Sequence, residues 1–263
     1  MAELSVTIIA RDCRDLLLNS LKALYACLGD LDFEVLVLDN ASTDGTGEAA
    51  EKAFPEIRLF HNDVNRGVAP ARNQLIKEAT GRYILILDAD TEMVSKNFSD
   101  LIAYMDSHTD VGILGCTLVS EDNEIHSSTR TYPRPIHVLL RRLQMVGIVR
   151  DSRILRDHHL ERWRRTSPKV VDFVEGAFQL IRVKAVNKVG LLDESMFYGF
   201  EDADYCARME KGGFKVVCYP AFVVRHLLQG ITRKNPFNKM AYLHTKSYVT
   251  FYRKHRALIK KKC

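Results

Sequence analysis

Tyr83-Ile-Leu-Ile-Leu-Asp-Ala-Asp90 is an apolar run that stops abruptly at two acids one residue apart. A short β-branched run bounded in this way reads as a strand buried on both faces. The same signature lies upstream. Val6–Ala10 and Phe33–Leu38 are strand-like, the second ending at Asp39, and Ile57–His61 is a third strand. Between them, Leu16–Leu28 carries Leu17, Leu21, Leu24, Tyr25 and Leu28 at a helical period. The turn and cap residues of Asn40–Thr46 precede a helix over Thr46–Ala53, and Pro70–Ala79 is a further helix. Strand–helix repetition at this spacing predicts an α/β fold with a mostly parallel central sheet and helices on both faces. Such sheets bind ligands at the carboxyl ends of their strands, where Asp39, Asp88 and Asp90 fall.

The remainder is less regular. Thr91-Glu-Met after the acid pair reads as a helix start. Phe173–Val183 is an apolar run broken by Glu175-Gly176, and Val216–Tyr219 and Ala221–Val224 read as two strands around Pro220. Phe237, Met240, Tyr248 and Phe251 mark a stripe that leads into Arg253-Lys-His-Arg256 and Lys260-Lys-Lys262. Between Arg130 and Lys169 stand ten arginines and one lysine against three acids, a balance of +8 in a chain of 263 residues whose formal charge is +5. That segment is either a solvated face or an insert that meets an anionic partner.

Composition excludes several classes. With 46% apolar and 27% charged residues the chain can bury a large core. A charge of +5 is too mild to argue nucleic-acid binding. The six cysteines, Cys13, Cys27, Cys116, Cys206, Cys218 and Cys263, show no C-x-x-C pair, which suits a reducing compartment. The apolar run near Met1 is too short for a signal peptide, and no later run reaches the roughly 18 residues of a membrane span. Arg11-Asp-Cys-Arg14 follows the first strand where a dinucleotide or P-loop site requires glycines.

Three constellations carry chemistry. Asp88 and Asp90, at i and i+2 of a continued strand, point to one face and suit a divalent cation, a ribose hydroxyl, or the cap of a following helix. Phe200-Glu-Asp-Ala-Asp204 opens a helix over Tyr205–Lys211, where acids complement the macrodipole and one of them suits a general base. His226 is either a satisfied structural histidine or a neutral imidazole completing a metal site.

Together these motifs resemble family 2 inverting glycosyltransferases of GT-A fold. The resemblance rests on Val6-Thr-Ile-Ile, Val37-Leu-Asp39 through Thr46, Asn65-Arg-Gly-Val-Ala-Pro-Ala-Arg-Asn73, Asp88-Ala-Asp90, Glu175-Gly-Ala, Gly190-Leu-Leu-Asp-Glu194, Glu201-Asp-Ala-Asp204 and Val224-Arg-His226, which follow in the family's order from about Ser5 to Gly230. Arg208 and the tail Tyr248–His255 look most like the rhamnosyltransferase-type branch.

The resemblance implies a GT-A domain over 1–230. A Rossmann-like nucleotide-sugar half spans 1–116, an acceptor half with the basic insert 130–169 spans 117–230, and a helical basic tail spans 231–263. It implies metal-dependent inverting transfer of a sugar from a dTDP-, UDP- or GDP-linked donor to a glycan or lipid-linked acceptor. The setting would be cell-surface polysaccharide or glycolipid assembly in the cytoplasm, with peripheral contact to an anionic membrane. Asp202 matches the catalytic base; Asp39 the base-binding acid; Asp88 the acid near ribose and sugar. Asp90 and His226 match ligands of Mg²⁺ or Mn²⁺. Ala10, Arg11, Asn65, Arg72 and Ala89 match the donor side, and Glu175, Gly176 and Glu201 the acceptor side. Ala10–Cys13 departs from the family's pattern after the first strand, which bears on nucleotide preference. An inactive nucleotide-sugar-binding scaffold and a sugar nucleotidyltransferase are the alternatives; the second expects a glycine-rich loop that this chain lacks.

Overall fold

The computed structural model describes residues 2–126, 128–145, 147–227 and 239–261. Phe237 of the apolar stripe, the 230/231 domain boundary, Lys262 and Cys263 lie outside the described residues. The first half runs β1 (Leu4–Ala10), α1 (Arg14–Leu28), β2 (Phe33–Asn40), α2 (Thr46–Ala53), β3 (Arg58–Asn62), α3 (Val68–Glu78), β4 (Tyr83–Asp88). It continues with β5 (Thr91–Met93), α4 (Phe98–Ser107) and β6 (Val111–Val119). The second half runs β7 (Ile125–His126), β8 (Thr129–Arg130), α5 (Pro135–Met145), α6 (Arg153–His158), β9 (Lys169–Val170), β10 (Phe173–Val174) and β11 (Phe178–Arg182). It closes with α7 (Val183–Val189), α8 (Glu201–Lys211), β12 (Lys215–His226) and α9 (Lys239–Lys261).

The main sheet has the order β3-β2-β1-β4-β11-β6-β12-β5. Its first four strands are all parallel. Beyond β4 the sheet becomes mixed: β11 is antiparallel to both β4 and β6, whereas β6 and β12 are parallel. Side chains alternate across the sheet as period two demands. Leu85 and Leu87 of β4 pack with α1 and α4, while Ile84 and Ile86 pack with α3, α8 and α9 on the other face.

Two expectations are corrected. Thr91-Glu-Met does not start a helix; it is strand β5, because Thr91 pairs with His226 and Met93 with Val224 at the end of β12. The two strands around Pro220 are one strand, β12, whose register with β6 slips between Tyr219 and Val223. An irregularity at that point absorbs a proline that cannot donate to the ladder.

Candidate active site

The registers bring the acids together. Asp39, the penultimate residue of β2, lies opposite Ala10 of β1, and Asp88 ends β4 opposite Ile9, so both acids flank the carboxyl end of β1. Because β11 runs antiparallel to β4, its start lies beside the end of β4, and the Asp88 amide donates to the Ala177 carbonyl at 3.2 Å. Glu175-Gly176 is thereby delivered to the crevice. The β5–β12 pairing delivers His226, whose Nε2 lies 3.2 Å from Asp90 and 4.0 Å from Asp88. Ala89, between the two acids, is buried in the core on the opposite face.

Arg72 ties the halves of the site together. It sits on α3 with its side chain 5% exposed. Its Nη2 donates to Asp88 at 2.7 Å and to the Gly176 carbonyl at 2.9 Å, and its Nη1 to Glu201 at 3.4 Å. A Cβ on Gly176 would stand 2.5 Å from Arg72 Nη1, so this approach requires glycine. The neighbouring Asn73 clasps the second half as well, exchanging hydrogen bonds with Leu192 and donating to Glu194.

The three acids in the first turn of α8 part company. Glu201 faces Arg72. Asp202 accepts from the Gly176 amide at 3.2 Å and from the Ala203 amide at 2.7 Å. Asp204 is fully buried and holds α9 and its own helix through Lys254, His255 and Arg208. The turn before α8 is strained: Phe200 stands at φ 69°, a left-handed conformation rare for a bulky residue.

Other expected residues serve the loops around the crevice. Both Asp39 oxygens already accept backbone amides, from Ser42 at 2.8 Å and Gly47 at 3.1 Å. Asn65 accepts from Asn40 and from the Gly67 amide, shaping the approach to α3. Arg11 is half exposed beside Asp12 at the mouth of the β1–α1 loop.

Electrostatics distinguish the carboxyls. Burial and then the Asp202 charge push Glu201 up to about 7. Burial, followed by the Glu175 charge, raises Asp202. Burial raises Asp88, with Arg72 opposing and Asp90 adding. Burial would also raise Glu175, but the Arg130 charge and the His126 hydrogen bond hold it down at about 2. For His226, burial lowers the imidazole but is outweighed by the bond to Asp90 and the nearby acids, so its pKa rises.

Two groups of side chains have the spacing of cation ligands: Asp88–Asp90–His226 and His126–Glu175–His226, each with ligand atoms within 4.8 Å of one another. The first offers two carboxylates and an imidazole whose Nδ1 is buried without a partner in the protein. This donor set suits Mg²⁺ or Mn²⁺. In the second, Arg130 already engages Glu175, and its positive charge opposes a cation. His126 and Arg130 are site residues that the sequence reading missed. Arg130 reaches Glu175 because β8 pairs with β10 immediately before it.

A continuous route therefore joins Asp90 to Asp202, through His226, Glu175 and Gly176. The described chain contains no helix long and apolar enough to cross a membrane.

Known proteins match this chain in sequence and in fold. The family model for "Glycosyl transferase family 2" matches residues 5–190. The N-acetylglucosaminyl-diphospho-decaprenol L-rhamnosyltransferase of Mycobacterium tuberculosis is 26% identical over 234 residues, covering 84% of this chain and 75% of the relative. The UDP-Glc:alpha-D-GlcNAc-diphosphoundecaprenol beta-1,3-glucosyltransferase WfaP of Escherichia coli is 31% identical over 108 residues, 41% of this chain and 43% of WfaP. Among solved structures, a mannosyltransferase from Pyrobaculum calidifontis in complex with GDP-Man and Mn²⁺ superposes with TM-score 0.64 at 18% identity. That match covers 97% of this chain but only 64% of the mannosyltransferase. The likeness extends the α/β reading to the GT-A fold, and the rhamnosyltransferase-type resemblance agrees with the mycobacterial relative. With the sheet, the crevice and the motifs in place, the chain belongs to glycosyl transferase family 2.

Proposed function

We propose that this protein transfers one sugar, with inversion, from a nucleoside-diphosphate sugar to the hydroxyl of a lipid-linked or glycan acceptor. The observation that carries this reading is the Arg72 fork. It holds Asp88 on the donor side against Glu201 and Gly176 on the acceptor side, one residue from Asp202. Asp39 lies two strand spacings from Asp88, roughly 10 Å, so a nucleoside can lie across the strand ends with its diphosphate toward Asp90. The proposed division is a donor half over 1–116 and an acceptor half over 117–230.

Inversion needs a single displacement and one base, without an enzyme nucleophile. Asp202 takes the acceptor proton. Its two backbone amide donors fix the carboxylate's direction, while burial and Glu175 raise its proton affinity toward that of a useful base. Asp88, Asp90 and His226 would hold Mg²⁺ or Mn²⁺, which supplies Lewis-acid stabilisation of the departing diphosphate when bound. The Mn²⁺ in the mannosyltransferase complex supports that choice of ion. The mycobacterial relative and WfaP act, by their names, on prenol diphosphates. An acceptor of that kind suits the basic insert, where Ile136, Leu139, Ile148 and Ile154 are exposed among the arginines. We place the reaction on the cytoplasmic side of an anionic membrane that this face touches.

Nucleoside diphosphate release from a panel of nucleotide sugars, with and without chelator, tests the reading. Release that chelator and Asp90→Asn both abolish supports it. Donor binding with no release under any metal condition means an inactive binder.

A further inference from the structure

The C-terminal helix reaches into the crevice. A cavity of about 260 Å³ opens beside Arg72, Asp88 and Glu201, and its far wall is His244 of α9 together with Tyr198 and Gly199. Its size is below the ~300–1,000 Å³ of pockets that enclose a whole drug-sized ligand. It therefore fits a portion of a nucleotide sugar. Its position says which portion. Asp88 lies two residues before Asp90, which faces the diphosphate, and Glu201 lies one before Asp202, which faces the acceptor. The sugar ring belongs between them.

His244 is held there by packing. Its Cδ2 lies 2.6 Å from where a Gly199 Cβ would stand, so only glycine, here at φ 76°, lets the ring come so close. Phe200 contacts the imidazole at 4.7 Å between centroids and also stacks on Phe251, one helical turn from Tyr248. Asp204 pins the same face of α9 through His255 and Lys254. The ring remains open to the cavity. Its partial burial against Phe200, and then the charges of Arg141, Arg130 and Arg142, lower its pKa. At neutral pH one nitrogen donates and the other accepts, which suits a sugar hydroxyl.

We infer that α9 is a specificity element, with His244 as the positioning residue that reads a hydroxyl of the transferred sugar. This rests on the transferase reading. α9 lies past the last residue matched by the family model.

The test is calorimetric titration of the full chain, with Mn²⁺, against UDP-glucose, UDP-N-acetylglucosamine, GDP-mannose and dTDP-rhamnose, and against each free nucleoside diphosphate. For the donor that binds best, His244→Ala weakens the nucleotide sugar about 3- to 10-fold, the value of one neutral hydrogen bond. It leaves the free diphosphate unchanged, and His244→Gln recovers part of the loss. Because the ring also packs against Gly199 and Phe200, thermal melting of each variant verifies that the fold is kept. Equal weakening of sugar and diphosphate, or no change in either, overturns the role of His244 while leaving the transferase reading intact. A wild type that binds none of the four nucleotide sugars overturns both.

Discussion

Replacing Arg72 by methionine keeps the aliphatic volume and removes the fork. Three acceptors then lose their donor: Asp88, the Gly176 carbonyl and Glu201. Breaking a buried ion pair from one side costs about 3–5 kcal/mol. Glu201, 8% exposed, bears that cost in full, whereas the Asp88 side chain is 30% exposed and its share is screened. The expected loss is therefore at the lower end, about 3 kcal/mol. At roughly 2–4 °C per kcal/mol the midpoint falls by about 6–12 °C. The penalty depends on pH with a definite sign. Glu201 already titrates at about 7, above its unfolded value, so its burial destabilises the fold as pH rises from about 4.3 toward 7. Without Arg72 that upper limit moves higher. Thermal and urea unfolding near pH 5 and pH 8 should show a smaller loss at the acid end, where the carboxyl is protonated. Adding Glu201→Gln should restore part of the stability at the alkaline end. A loss under about 1 kcal/mol, or one of equal size at both pH values, refutes the reasoning.

Two further outcomes follow from the same geometry. Transfer rate should rise with pH along a limb displaced above the ordinary aspartate range, because burial and then the Glu175 charge raise Asp202; Glu175→Gln should move that limb downward, and a pH–rate profile of both proteins checks it. Sedimentation with anionic vesicles should exceed that with neutral ones, each arginine near the surface contributing about 1 kcal/mol, and Leu139→Ser should reduce it; equal partitioning counts against a membrane face.

Much of this site was legible because strand ends announce themselves. EVLVL and YILIL each stop at an acid, and the parallel registers turn that pattern into adjacency at the end of β1. β5 was misread because three residues carry no period of their own; they are a strand only because β12 pairs with them. β6 escaped notice because Gly112 and Gly115 interrupt its apolar run, although every residue in it is buried. Gly115 is demanded by Val174, which would stand 2.6 Å from a Cβ there. The contact of Arg72 with Glu201 spans 129 residues, and no local pattern encodes it. His126 and Arg130 are set by short pairings of the same tertiary kind. His244 did leave a trace: positions 244, 248, 251 and 255 lie at helical spacing on one face of α9, which turns toward Phe200 and Asp204.

Asp202→Asn is the sharpest probe of whether this crevice transfers sugar with Asp202 as its base. Its dissociation constant for the nucleotide sugar and its transfer rate are measured on one preparation beside the wild type. Donor affinity should stay unchanged and the rate should fall by about 10²–10⁴. Turnover close to the wild-type rate contradicts that role for Asp202.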